Sequence, residues 1–591
     1  MSSTNPNILP TVTYSDKDIE AAIKIFKAKK IPVYEPGEED YERYIATSNL
    51  IYRFSTPPCV VQPKCACDVR DVIRIAKPRK IPVTIKNGGH SYAGGSTTNI
   101  GILMELGLMN DVILDMTPGA ETATVKGGAL WFNVYKKLTS KRVDGKHLDG
   151  WVVNGGRCPT VGVSGFMLGG GLSPFTRSFG MGCDTVKEFT IVTATGDEVT
   201  VSEHTGNKDK DNLFWALRGA GGGNFGVVVE MKLAMKRLKS ELVVAGRYTW
   251  YPETDDVTMA GFMTTMNSFY TRNWPNEMTI DSSWLCDLKE TKRELGVRFL
   301  VYYNGGRAAF NQAIDDWTLS DAPSEHGKLK AQLKTRSLQE PSSRFLHETL
   351  AAQWVEETKK ALPTTRVYQI YTSFVFQNHN KKIREITRVI RGEMASFRKQ
   401  FANETGLMQV TFIHSGGEAN SKKREDTAYR WRGSVYHTYI MLQWDEKWLE
   451  EPMRRFLGEM KPKLSDFGMV KWATFINFPD DTLKPEVHEQ AYYGRNRQKL
   501  RSVKQRWDPD NFFQWSQGIQ LNGEAKEKSL AKSLAKAPST DQETHSDLSH
   551  DQVLTKEEAL TDLIALHQWR SYRPQAETDY YGREALPALV Y

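Results

Sequence analysis

Asn87-Gly88-Gly89-His90-Ser91-Tyr92 follows a short run, Ile81 to Ile85, with the apolar and β-branched character of a buried strand, and Lys86 joins the two. A strand that runs directly into paired glycines fixes a loop at its end. Glycines let backbone N–H groups approach a ligand without a side chain intervening, so Gly88-Gly89 can cradle phosphate oxygens. His90 then offers an imidazole, largely uncharged and nucleophilic near neutral pH. A purely structural histidine in a glycine turn is the alternative. Upstream, Val69, Val72, Ile73 and Ala76 recur at helical spacing within Asp68 to Ala76, so the loop sits in a helix–strand unit.

A second glycine-rich stretch reads Gly155-Gly156-Arg157-Cys158-Pro159-Thr160-Val161-Gly162 and continues through Gly165 to Gly169-Gly170-Gly171. Backbone donors and the adjacent Arg157 favour a thiolate at Cys158 over the free thiol, whose pKa is about 8.5. Such a sulfur can attack an electrophile, or it can be a small buried cysteine in a crowded turn. A third run, Gly221-Gly222-Gly223-Asn224-Phe225-Gly226, satisfies G-x-G-x-x-G by letter. Its order is wrong for a dinucleotide fingerprint, because a helix-like segment (Asn212 to Leu217) precedes it and a strand (Val227 to Met231) follows. Walker A, H-E-x-x-H and G-x-S-x-G signatures are missing from the sequence.

Outward from these loops, the chain reads as α+β. Ser15 can cap a helix carrying Ile19, Ile23 and Phe26 on one face, which makes 1–46 a docking segment. A further strand is expected at Phe189 to Ala194. From about residue 241 the glycine runs end, and Tyr, Trp and Phe segments alternate with charged helical stretches such as Lys381 to Phe397. A second region is expected over 241–469. After 522 the composition turns to Ala, Lys, Ser and Asp, a polar tail over 523–591 in which Thr555 to Trp569 could form a short helix for a protein partner.

The 591 residues carry a net charge of +7, but the cations alternate with acids, as in Lys422 to Asp426, so a nucleic-acid stripe is not expected. The first residues lack a basic start followed by an apolar stretch, and no window holds the ~18 apolar residues of a membrane span, so a cytoplasmic location is expected. Cys65 and Cys67 form a C-x-C pair with no second pair to complete a zinc site, and are read as separate thiols. No metal is expected.

Taken together, the His90 loop, Cys158-Pro159-Thr160-Val161-Gly162, Leu213-Phe214-Trp215-Ala216-Leu217-Arg218-Gly219 and a closing series resemble the berberine bridge enzyme-like FAD-linked oxidoreductases. The closing series comprises Tyr492-Tyr493-Gly494, Asn496, Leu500, Val503-Lys504, Asp508-Pro509, Asn511, Phe513, Gln517 and Ile519. The resemblance covers 47–522 and implies a PCMH-type FAD-binding domain in two parts, 47–240 and 470–522. Between them lies a substrate domain with an antiparallel sheet covered by helices. It implies FAD bonded covalently by His90 at the 8α-methyl and by Cys158 at C6. Lys86, Asn87, Gly88, Gly89 and Ser91 on one loop, and Thr160, Val161, Gly162, Gly165, Gly169 and Gly170 on the other, would surround the cofactor, together with Val228 and Asn496. It also implies hydride transfer from a small-molecule substrate to the flavin and reoxidation by molecular oxygen, with Val161 leaving room for oxygen.

One family feature is missing. Where relatives place tyrosines in Tyr-x-Asn-Tyr-x-Asp, this chain has Phe475-Ile476-Asn477-Phe478-Pro479-Asp480, and phenylalanine cannot move a proton. Substitutes are sought on the strand Val435 to Gln443, where alternation separates Tyr436 and Thr438 from His437, Tyr439 and Met441. Tyr439 and Tyr436 lead as catalytic candidates, with His414 and His437 behind. The aromatic content of 241–469 points to a hydrophobic specialised metabolite; a carbohydrate or alcohol oxidase and a catalytically silent flavin scaffold are the rival readings.

Overall fold

The computed structural model describes residues 14–349 and 367–522 except Ser48, Asp144 and Glu486, so the expected tail helix lies outside the described residues. Three larger sheets organise the described chain, beside a two-stranded one that pairs Arg142–Val143 with Lys146–His147. The first is small and mixed, with strand order Val33–Tyr34, Cys59–Val61, Ile102–Glu105, Val83–Lys86, the last three mutually parallel. The helices Asp16–Ala28 and Ala66–Ala76 contribute Phe26, Val69, Val72 and Ile73 to its core. Ser15 caps the first helix as the sequence suggests, and Asp18 reciprocates to complete a capping box.

The second sheet runs Glu198–Ser202, Val186–Thr193, Gly226–Arg237, Thr122–Lys126, Val112–Asp115, with Trp151–Val153 paired to the far end of its longest strand. All its pairings are antiparallel. The helices Trp131–Ser140 and Lys208–Leu217 pack in the same core through Val134, Leu138, Leu213 and Phe214.

Seven antiparallel strands form the third sheet, in the order Ser337–Pro341, Leu242–Trp250, Gly296–Tyr303, Met278–Asp287, Gly406–His414, Tyr436–Trp444, Tyr368–Phe376. One of its faces is covered by helices. Ile383, Ile386, Ile390, Met394 and Phe397 mark a single stripe of the helix Asn380–Gln400 and meet Val410, Phe412, Ile440 and Leu442 of the strands. Most of the aromatic side chains of this region, Trp284, Phe299, Phe374, Phe376 and Tyr436 among them, belong to that helix-side core.

After the sheet the chain returns to the glycine-rich loops. Lys504, fully buried, donates to the carbonyls of Asn224 (2.7 Å) and Phe513 (2.5 Å) and pairs with Asp508 at 2.7 Å. The Ile519 N–H donates to Asn224 Oδ1 at 2.9 Å, and the Tyr493 hydroxyl to the Ala220 carbonyl at 2.7 Å. Two findings depart from or limit the sequence reading. Cys65 and Cys67 are disulfide-bonded rather than separate thiols, since the helical turn that begins at Ala66 brings their Cα atoms within 5.2 Å of each other. No helix among the described residues is long and apolar enough to cross a membrane.

Candidate functional site

Two loops far apart in sequence are knitted together by their glycines. A Cβ on Gly88 would lie 2.5 Å from the Thr160 carbonyl oxygen and 2.6 Å from the Gly162 nitrogen, and one on Gly162 would lie 2.5 Å from Asn87 Cγ. Only glycine allows this approach. Asn87 holds the seam by donating to the carbonyls of Gly127 (2.8 Å) and Ala129 (3.2 Å) and to Ser164 Oγ (2.9 Å). The result brings the two nucleophiles onto one hydroxyl: Thr160 Oγ1 is 3.0 Å from His90 Nε2 and 3.3 Å from Cys158 Sγ.

His90 and Cys158 both line a cavity of about 450 Å³, a volume typical of cofactor and substrate sites. Asn87, Gly88, Gly89, Ser91, Val161, Gly162, Gly165 and Val228 line it as well, as does the loop Gly221-Gly222-Gly223. The other proposed cofactor residues stand back from the cavity. Thr160 acts through its hydroxyl. Lys86 is buried with its ammonium on the carbonyls of Tyr44 and Ala46 (2.7 Å to the latter), and burial pulls its pKa down to about 8. Gly169 and Gly170 make room for neighbours, since a Cβ on Gly169 would strike Asn477 Oδ1 at 1.7 Å and Gly170 has φ +120°. Asn496 donates to the carbonyls of Arg424, Thr427 and Ala428 and so fastens a loop instead of meeting a ligand.

The wall opposite the loops is the open face of the seven-stranded sheet. Alternation along each strand sends Asp281 and Ser283, Gln409 and Thr411, Tyr439 and Met441, Gln369 and Tyr371 into the cavity. They form a polar lattice: Ser283 to Thr411 at 2.8 Å, Gln409 Nε2 to Thr411 at 2.8 Å and to the Tyr439 hydroxyl at 3.1 Å, and Tyr371 to Gln369 at 2.8 Å. Rings close the remaining sides. Tyr92 stacks on Tyr371 with centroids 3.7 Å apart, and Phe478 meets Tyr439 edge-on at 5.1 Å.

This geometry separates the catalytic candidates. Tyr439 is in the cavity; Tyr436, three residues earlier, is on the helix side, fully buried, and donates to the Tyr270 carbonyl at 2.9 Å. Tyr436 is therefore withdrawn as a candidate. His414 also faces the helix side, stacked on Tyr436, and burial holds its pKa well below the ordinary histidine value. His437 shares the Tyr439 face but lies behind Phe475, 2.5 Å from the Tyr429 hydroxyl, with its pKa lowered by burial to about 3. Asp281, Gln409, Gln369 and Tyr371 escaped sequence reading, although the polar residues alternating with Val410 and Phe412 in Gly406–His414 carry a usable signal.

The donor set suits a large ligand that is flat at one end and rich in oxygen at the other. Two nucleophiles stand together at the edge, glycine loops expose backbone N–H groups, and Trp515 Nε1 and Asn87 Oδ1 are buried with no partner among the described residues although both side chains line the cavity.

Comparison with known proteins agrees. Residues 57–202 match the family model described as FAD binding domain, and residues 474–520 match that described as Berberine and berberine like. A carbohydrate oxidase of Microdochium nivale is 24% identical over 85% of this chain and 94% of its own length. Berberine bridge enzyme-like 12 of Arabidopsis thaliana is 24% identical over 79% of this chain and 86% of its own. The solved structure of berberine bridge enzyme from Eschscholzia californica superposes with a TM-score of 0.69 at 19% identity, over 85% of this chain and 99% of that one.

Proposed function

Since the chain is an FAD-dependent oxidoreductase of the berberine bridge enzyme-like family, we propose that it carries its flavin on two covalent bonds, His90 to the 8α-methyl and Cys158 to C6. The observation that supports this most directly is the convergence of imidazole and thiol on Thr160 at the cavity's edge. An FAD held by these loops would supply a hydride acceptor for a substrate carbon and a route for the electrons to molecular oxygen, with hydrogen peroxide as the product. The chain's residues do the rest. Backbone N–H groups at Gly88, Gly89, Gly222 and Gly223 suit the phosphates, and Trp515 can donate to an oxygen that only a ligand supplies. Tethering at two points holds the cofactor while the sheet side stays open to substrate.

Tyr439 is the proposed proton acceptor. It is the tyrosine of its strand that faces the cavity, and Gln409 donates to its oxygen, which orients the phenol. Val161 lines the same cavity and leaves space for oxygen; Val161→Leu should slow reoxidation of the reduced flavin, followed by stopped-flow absorbance.

For the substrate, we infer a ring-bearing specialised metabolite that carries polar groups. The aromatic content that pointed to a hydrophobic one belongs mostly to the helix-side core, whereas the cavity joins Tyr92, Tyr371 and Phe478 to an amide and hydroxyl lattice. That lattice also favours a second reading, a carbohydrate oxidase, which peroxide release on oligosaccharides would establish. Mass spectrometry of digested protein tests the cofactor: the peptides holding His90 and Cys158 should each carry flavin mass, and a colourless pellet after acid precipitation would refute the attachment.

A further inference from the structure

The cavity contains a cation whose hydrogen-bonding capacity the protein does not exhaust. Arg157, next to Cys158, sends its side chain to the sheet wall, where Nε pairs with Asp281 Oδ2 at 2.6 Å and Nη1 donates to the Leu172 carbonyl at 2.6 Å. Its Cζ lies 5.5 Å from the centre of the Tyr302 ring. Asp281 is occupied on its other oxygen by the His414 N–H at 2.9 Å and is 2% exposed. Nη2 is buried and has no acceptor among the described residues, although both Arg157 and Asp281 line the cavity. Leaving such a donor unpaired is costly, and a guanidinium is a rigid planar fork matched to planar acidic oxygens.

We propose that Arg157 anchors an acidic oxygen of the substrate, a carboxylate or a phenolate, and that this oxyanion distinguishes the true substrate from neutral analogues. The proposal rests on the reading of the cavity as a flavin and substrate site. Arg157 starts from the loop that carries Cys158 and pairs with Asp281 on the strand Met278–Asp287, so its guanidinium spans from the loop of the cofactor nucleophile to the sheet wall of the cavity. Asp281 keeps the guanidinium oriented and offsets part of its desolvation. A neutral oxygen could accept from Nη2 but would forgo the charge-assisted bond, and a cationic group would offer Nη2 no acceptor.

Calorimetric titration of the purified holoenzyme tests this with two matched pairs of probes: benzoate against benzamide, and 4-nitrophenolate against 4-nitroanisole. At least one acidic member should bind tenfold or more tightly than its neutral partner. In Arg157→Gln/Asp281→Asn, which removes both charges together and so avoids a stranded buried carboxylate, that preference should disappear with the neutral probe unchanged. Arg157→Lys should keep part of it. Equal binding within both pairs, or a preference that survives the double substitution, would overturn the proposal. Flavin retained in the acid-precipitated pellet of the same wild-type preparation distinguishes the outcomes: a colourless pellet counts against the cofactor reading, and a yellow pellet without acid preference counts against the anchor alone.

Discussion

Thr160 shows how much of this site depends on single atoms. Its hydroxyl bridges His90 and Cys158, and its carbonyl is the atom that any Cβ at position 88 would meet. Gly88→Ala should push the two loops apart and leave less than half of the wild-type covalent flavin, read from the absorbance of the acid-precipitated pellet. At the opposite wall, Tyr439→Phe removes the proposed proton acceptor without altering the loops, so kcat should fall by about 10²–10⁴ while covalent flavin stays complete. Retained kcat would return the role to another group. The residues at positions 88, 90 and 158 were legible because glycine runs and a flanking nucleophile are local signals. The choice between Tyr436 and Tyr439 was not, because their strand is buried on both faces and lacks the polar and apolar alternation that would orient it. The pairing of Arg157 with Asp281 lies beyond sequence reading altogether, since neither residue has a local feature that names the other.

At the level of elements, the closing helix Arg497–Trp507 depends on Lys504. Its ammonium is out of solvent, paired with Asp508 and two carbonyls, and burial lowers its pKa while Asp508 raises it. Breaking one half of a buried pair leaves an uncompensated charge, so Lys504→Met should cost about 3–5 kcal/mol, measured by urea unfolding. Asn224 should then lose its grip on the loop that lines the cavity. The helices and strands were largely foreseen: Asp68 to Ala76 appears as Ala66–Ala76, and Lys381 to Phe397 as Asn380–Gln400. Apolar periodicity over long segments survives tertiary context, whereas the helical turn that unites Cys65 with Cys67 depends on where a helix begins.

On the scale of the whole molecule, buried neutral histidines link stability to acidity. His437 titrates near 3 in the folded chain and near 6.5 when unfolded, so between these values the unfolded state binds the extra proton. Its contribution is complete above pH 6.5 and is lost progressively as pH falls towards 3. Thermal midpoints should therefore drop across that window, and His437→Gln should show a shallower slope; an unchanged slope would assign the acid sensitivity elsewhere. His414, also held neutral by burial, acts in the same direction.

The bonds from Lys504 and Ile519 back to Asn224 also fix a timetable. Their partners are separated by 280 and 295 positions, so a nascent polypeptide emerging from a ribosome cannot finish the nest around the glycine loop until nearly all of the described sequence has been made. Contacts of such long range close slowly. Cofactor acquisition thus becomes a late event in biogenesis, and a translation product halted before Lys504 should emerge without colour.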